Sequence, residues 1–263
     1  MLNLQFGTAS HSGLVRERNE DSALASGGIA AVADGMGGHA AGEVASHLAV
    51  ERLSRLARDP SELKPEDLLA AIDEANQSIL DAASTDPDQA GMGTTVAGIA
   101  AVRVAGSDHW MVFNVGDSRV YRLNEGTLTR VSVDHSEVQE LISAGKLTVE
   151  EAKQYPRRNV VTRSLGTDPA PQTDVWVFPP TPGERFMICS DGLPLEVDEQ
   201  VIAEVLADQP DAQIAADALV DDAVRSGGRD NVTVVVVDLV SSDFGDAVSV
   251  DTAPRIRIDG AIG

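Results

Sequence analysis

Gly28-Ile29-Ala30-Ala31-Val32-Ala33-Asp34-Gly35 is an apolar run that ends on an acid and a glycine. Phe186-Met187-Ile188-Cys189-Ser190-Asp191-Gly192 repeats the design later in the chain. Short apolar runs bounded by turn residues read as strands, each here delivering its aspartate to a turn. Two more acidic landmarks flank extended segments, Glu20-Asp21 and Asp230-Asn231. Asp230 stands just before the strongest strand pattern, Val232 to Leu239. Carboxylates at strand ends can converge on one edge of a packed sheet. Converging carboxylates repel, so something positive must hold them together. A pair of hard divalent cations is the expectation.

Outward from these runs, Leu4 to Ser10 and roughly Ser22 to Ala33 read as strands. A helix is expected from Glu43 to Ala57, with Val44, Leu48, Leu53 and Leu56 at helical spacing. Pro65 opens a second helix, faced by Leu68, Ile72, Ala75 and Ile79. Strands recur at Thr94 to Val104, Trp110 to Val115, Ser118 to Leu123 and Leu128 to Val133, with Asn124-Glu125-Gly126 as a hairpin turn. Ser136 to Asn159 breaks the rhythm as two short helices around Gly145; a lid and a packed helical excursion fit it equally well. Val175 to Phe178 and Arg185 to Ser190 resume the strands. A helix from Ala212 to Arg225 stops at Gly227-Gly228. Strands and helices come in blocks, which favours two antiparallel sheets with helices outside, an α+β fold. Residues 1–240 read as one domain and 241–263 as a flexible acidic tail or linker.

The 263 residues are 43% hydrophobic and 24% charged, ordinary for a globular chain. Asp plus Glu number 42 against 20 Lys plus Arg, a net charge of −22 that argues against nucleic acid or an anionic membrane as partner. No stretch has the roughly 18 apolar residues of a membrane span. The N-terminus lacks a basic region and a long apolar core, so no signal peptide is read there. The expectation is a cytoplasmic monomer, or the cytoplasmic domain of a longer membrane-anchored protein. A single cysteine, Cys189, excludes an internal disulfide and a thiolate zinc cluster. A nucleophilic cysteine would want an arginine six positions on to hold phosphate, and position 195 is Leu195, so Cys189 reads as a buried structural thiol.

Asp-Gly alone is an ordinary turn dipeptide. Two of them after apolar strands, beside Glu20-Asp21 and Asp230-Asn231, favour oxygen ligation of Mg²⁺ or Mn²⁺ over zinc or copper. A glycine carbonyl can approach a cation as a further ligand. Arg16 alone reads as a surface salt bridge; in combination its guanidinium suits phosphate. The combination is specific. Arg16-Glu17-Arg18-Asn19-Glu20-Asp21 resembles the opening motif of the metal-dependent serine/threonine protein phosphatases of type 2C. Asp34-Gly35-Met36-Gly37-Gly38-His39, Gly93-Thr94-Thr95 and Gly116-Asp117-Ser118-Arg119 follow in the family's order. So do Asp134-His135-Ser136, Ser190-Asp191-Gly192 and Asp230-Asn231-Val232-Thr233. The Asp-Gly-Met-Gly-Gly form and Gly145-Lys146-Leu147-Thr148 resemble the bacterial branch.

The resemblance implies a four-layer αββα sandwich and hydrolysis of phosphoserine and phosphothreonine on proteins, reversing serine/threonine kinase signalling. Asp34 would bridge two ions, with Asp191 and Asp230 completing the first ion's ligands. Glu20 and the Gly35 carbonyl would serve the second. Asp21 would stand beside the activated water. Arg16 would grip the substrate phosphate. Asp117 with Asp191 would offer a third, weaker metal position. The catalytic set is thus Arg16, Asp34, Asp191 and Asp230; the partners are phosphorylated proteins, kinases and their substrates among them. Alternatives sharing these residues are a phosphoprotein-binding pseudophosphatase and the phosphatase of an anti-sigma-antagonist stress switch. Three departures stand out: Met36 where some members carry a histidine proposed as general acid, Pro194-Leu195 after Asp191-Gly192-Leu193, and Tyr155-Pro156 where bacterial relatives often have His-Pro. His39 stands nearby as a substitute acid or as a turn-stabilising side chain, in which case metal-bound water would protonate the leaving group.

Overall fold

The computed structural model describes residues 2–37, 41–58 and 62–241. Eleven strands and seven helices follow one another along the described residues. The strands are β1 (Asn3–His11), β2 (Asp21–Ser26), β3 (Ile29–Met36), β4 (Gly93–Thr94), β5 (Val96–Val104) and β6 (Ser107–Val115). Then come β7 (Arg119–Asn124), β8 (Thr127–Arg130), β9 (Asp174–Phe178), β10 (Arg185–Cys189) and β11 (Val232–Ser241). The helices are α1 (Ala41–Leu56), α2 (Pro65–Thr85), α3 (Glu137–Ser143), α4 (Val149–Ala152), α5 (Gly192–Glu196), α6 (Glu199–Asp208) and α7 (Ala212–Ser226).

One sheet runs β1-β11-β10-β7-β8; the other runs β2-β3-β5-β6-β9, with β4 paired onto β3. Every pairing is antiparallel. The apolar runs are continuous because their strands are covered on both faces. In β11, Val232, Val234 and Val236 join the helix-side core, while Val235, Val237 and Leu239 face the other sheet. In β3, Ile29, Ala31 and Ala33 pack toward α1 and α2, while Ala30 and Val32 face the opposing sheet. Three apolar layers between four layers of structure make the αββα sandwich expected of this sequence. Across the middle layer Trp110 meets Phe186 edge-on, with ring centroids 5.3 Å apart. Buried Glu184 joins the sheets, accepting from the Trp110 indole and from Arg122.

Several local expectations change. Ser22 to Ala33 is two strands, because Gly27 and Gly28 adopt positive φ (56° and 80°) and turn the chain. Asp34 lies within β3 rather than at its end: the strand continues through Met36 because Gly35 and Met36 pair with Thr94 and Gly93. Asp191 lies in the turn after β10, as expected, and that turn is also the N-cap position of α5. Pro194 falls in that helix's first turn, where no backbone donor is needed, so the unusual Pro194-Leu195 fits. The fully buried face of α1 is Ala41, Gly42, Ala45, Ser46, Ala49 and Leu53; of the predicted set Leu53 belongs to it, while Val44, Leu48 and Leu56 flank it, partly buried against the same core. Helix α6 was not predicted; it buries only Ile202 and Leu206, too short a repeat to stand out. The Leu128 to Val133 strand ends at Arg130, and the Ser132 hydroxyl accepts the Val120 N–H beyond it. Ser241, assigned to the tail, is the last residue of β11, and His39 and residues 242–263 of the proposed tail lie outside the described residues.

Candidate active site

One edge of the sandwich collects the acids. Asp21 opens β2 and faces Asp34 across the β2–β3 ladder. Cys189 pairs with both Val234 and Arg119, so the end of β10 adjoins the starts of β11 and β7. That register brings together Asp191 after β10, Asp230 before β11 and Asp117 before β7. The backbone around Asp34 is pinned on both sides. Its N–H donates to Thr95 Oγ1 (3.0 Å), its carbonyl accepts from Thr94 Oγ1 (2.9 Å), and Thr95 Oγ1 lies 2.7 Å from Ser118 Oγ. The motifs around Gly93 and Gly116 thus act as supports for Asp34, a role their residue types alone did not disclose.

Glu20 is placed by close backbone packing. Gly35 N–H and Ser46 Oγ both donate to the Glu20 carbonyl, at 3.2 and 2.6 Å. A Cβ on Gly35 would lie 2.1 Å from the Gly42 oxygen, and one on Gly42 would lie 2.9 Å from Glu20 Oε1. Only glycines let the start of α1 press this closely on β3. Asn231 holds the loop before β2: its Nδ2 donates to the Ser12 and Arg18 carbonyls (3.0 and 2.8 Å), and its Oδ1 accepts from Glu20 N–H (2.8 Å). On the rim, half-exposed Arg16 donates to Asp230 Oδ2 at 2.8 Å.

Burial and mutual repulsion set the electrostatics. Burial raises the Asp34 carboxyl well above the usual range, and Asp21, Asp191, Asp117 and Asp230 push it further. Asp21 is pushed up to about 7 by burial, against hydrogen bonds from Ser190 and Thr233. Asp117 is pushed up to about 8 by burial and then by Asp191 and Asp134. Burial raises Asp191, with Asp230 adding to it, and burial raises Glu20 against the pull of Arg16. Two buried oxygens, Glu20 Oε1 and Asp21 Oδ1, lack a hydrogen-bond partner. Such a cluster is costly unless a cation occupies it. Its donors are all oxygen, which suits a hard divalent ion. Among the described residues, no three acidic, histidine or cysteine side chains close around one point as a finished ligand set. Small divalent ions that keep most of their waters need only one or two carboxylates each, so the open arrangement fits them.

Cys189 is wholly buried and its thiol is pushed up to about 12 by that burial, which leaves it inert. His135, which the Asp134-His135-Ser136 motif marks without giving it a role, is buried beneath the Asp117 loop. Its Nδ1 accepts from Gly116 N–H at 3.0 Å and its Nε2 lies 3.3 Å from Asp174 Oδ2. In the insert, Glu137 meets Tyr155 Oη at 3.3 Å and Arg157 at 2.8 Å, tying the insert's two ends together.

The family model of protein phosphatase 2C matches residues 14–224. The chain belongs to the protein phosphatase 2C family. It is 41% identical over 248 residues to the serine/threonine protein phosphatase PstP of Mycobacterium tuberculosis, across 93% of this chain and 46% of that protein. It therefore spans about half the length of that curated relative. It is 36% identical over 240 residues to the serine/threonine phosphatase stp of Listeria monocytogenes, across 86% of this chain and 92% of that protein. The crystal structure of the PstP catalytic domain in complex with two manganese ions superposes with a TM-score of 0.82 at 40% identity, covering 92% of this chain and all of that one. The two-sheet sandwich of this chain is therefore the family's fold.

Proposed function

We propose that this chain hydrolyses phosphoserine and phosphothreonine on proteins with two divalent cations, Mn²⁺ or Mg²⁺. The cations would be held by Glu20, Asp34, the Gly35 carbonyl, Asp191 and Asp230, with Asp117 and Asp191 offering a third, weaker position. The observation that carries this is the buried set of mutually repelling acids with orphaned oxygens on Glu20 and Asp21. The two manganese ions in the PstP catalytic domain support it. When bound, the cations supply a nucleophilic water of lowered pKa and offset charge on the phosphoryl group.

The chain's own groups do the rest. Arg16 has five donors, and its contact with Asp230 is on the rim, so it can turn to grip two phosphate oxygens. Asp21 is oriented through Oδ2 by Ser190 Oγ at 2.8 Å, and its other oxygen is available to accept a proton. With Cys189 sealed, attack on phosphorus is direct, without a covalent phosphoenzyme. The partners are phosphorylated proteins, serine/threonine kinases and their substrates among them, met by a monomer whose residues 1–240 form the catalytic unit. Among the described residues no helix is long and apolar enough to cross a membrane; a cytoplasmic placement is part of this proposal. The test is hydrolysis of a phosphothreonine peptide by purified protein, first with EDTA and then with Mn²⁺. Activity that vanishes with chelator and returns with Mn²⁺ is the expected result. No activity in either condition, on a folded protein, would overturn the reading in favour of a phosphoprotein-binding role.

A further inference from the structure

His135 is 6% exposed, and its two ring nitrogens face different partners. Nδ1 accepts from Gly116 N–H at 3.0 Å, while Nε2 faces Asp174 Oδ2 at 3.3 Å. Asp174 is held in turn by Arg163, at 2.8 Å through Oδ1. A ring nitrogen that accepts an N–H carries no proton, so the ring's proton belongs on Nε2, against the carboxylate. The backbone of His135 has separate contacts. Its N–H donates to the Gly116 carbonyl (2.9 Å), and its carbonyl accepts from Thr162 N–H (2.8 Å). Beside it Ser136 pairs with Val161, and Glu137 N–H donates to the Val160 carbonyl at 2.9 Å. Backbone groups alone therefore close the base of the insert. An aliphatic side chain would fill the same buried volume without taking two nitrogens out of water. The imidazole supplies something that the backbone and mere packing do not.

What it supplies falls on Gly116. Both peptide planes that meet there are held: the N–H by the imidazole, the carbonyl by His135 N–H and by Asn114 Nδ2 at 3.1 Å. Gly116 has φ 110°, and a Cβ there would lie 2.5 Å from Thr95 Cγ2, so the turn keeps a shape that a side chain would not allow. Peptide groups are planar, so holding the Gly116 carbonyl also sets how the chain enters Asp117. We propose that His135 is a positioning residue for Asp117, its imidazole setting the turn that directs this carboxylate to the third, weaker cation position. The inference rests on the phosphatase reading and deepens it by giving that position a support outside its own ligands. Groups that orient a metal's ligands control affinity without touching the ion. The weakest position should feel such a loss most, because it has the fewest protein ligands to compensate.

The test is calorimetric titration of the full chain with Mn²⁺. The parent is expected to show two tighter binding steps and one weaker step, and Asp117→Ala should identify the weaker one by removing it. Two amides then divide the imidazole. His135→Asn places an oxygen about where Nδ1 stands and keeps an acceptor for Gly116 N–H. His135→Gln places its amide toward Asp174 and leaves Gly116 N–H without a partner. His135→Gln should weaken the third step about tenfold, the low end for groups that orient ligands, and leave the two tighter steps alone. His135→Asn should keep the third step close to its parent value. In the Asp117→Ala background His135→Gln should change no step, because the two residues act on one position. Melting temperatures check that each variant is folded. A third step equal in the parent and in His135→Gln, a weakening of all three steps alike, or a greater loss in His135→Asn than in His135→Gln would overturn the proposal. A parent with only two steps that hydrolyses p-nitrophenyl phosphate would overturn it too and leave the phosphatase reading intact. A folded parent that neither binds Mn²⁺ nor hydrolyses p-nitrophenyl phosphate would overturn the phosphatase reading, and the positioning role with it.

Discussion

At Asp34 the burial of a carboxylate and the repulsion of four neighbouring acids act in one direction. Replacing Asp34 or Asp191 with asparagine removes that repulsion while keeping the shape. Turnover should fall at least about 100-fold in each variant, because each removes a group from the charge-stabilising centre. The melting temperature in EDTA should stay level or rise, and full activity in either variant would contradict the ligand assignment. Arg16 acts on the substrate. Arg16→Ala should raise KM for a phosphopeptide about tenfold or more, as loss of a charge-assisted bond costs about 1.5–3 kcal/mol. Unchanged KM would make its contact with Asp230 a rim salt bridge and nothing more. Cys189→Ser tests the opposite role. It places a hydroxyl in a wholly buried apolar site, so a stability loss of about 1–3 kcal/mol is expected with most activity retained.

Among the elements, the loop between β1 and β2 depends on one side chain from the far end of the chain. Asn231 makes hydrogen bonds to Ser12, Arg18 and Glu20. Asn231→Ala should cost about 1–3 kcal/mol and raise KM, since Arg16 and Glu20 sit on the stapled segment; denaturant unfolding and steady-state kinetics check both effects. The acid-bearing strands were legible because apolar runs that end in Asp-Gly or begin after Asp-Asn leave few alternatives. Helix α2 was legible because Leu68, Ile72, Ala75 and Ile79 are all buried on one face. What stayed hidden was set by tertiary contacts. Nothing local says that β3 runs past Asp34; that follows from pairing with β4, dozens of residues away. The small-residue part of the α1 face was missed because Gly42 is selected by close approach to Gly35 of β3 and not by hydrophobicity. The same holds for His135, which its motif marks but whose contact with the Asp117 loop is tertiary.

For the whole molecule, the acid cluster couples stability to pH and to cations. A carboxyl raised in the folded state keeps its proton there at pH values where the unfolded chain has already lost it. The contribution of Asp21 and Asp117 to stability therefore falls as pH rises from about 4, the ordinary carboxylate range, through about 7 and about 8. The chain in EDTA should melt at a lower temperature at pH 8 than at pH 5.5. Saturating Mn²⁺ at pH 8 should raise the melting point by roughly 5–10 °C, from about 2.7 kcal/mol of binding linkage at a hundredfold excess over Kd. The gain should be smaller at pH 5.5, where cations must displace protons. Equal gains at both pH values would mean that the ions bind elsewhere. The most direct test of the central claim is an anomalous difference map from a crystal of this chain grown with Mn²⁺. Two peaks about 3.5–4 Å apart, both within ligand reach of Asp34, with Asp191 and Asp230 on one and Glu20 and the Gly35 carbonyl on the other, are predicted. An empty acid cluster, or peaks confined to other parts of the surface, would contradict it.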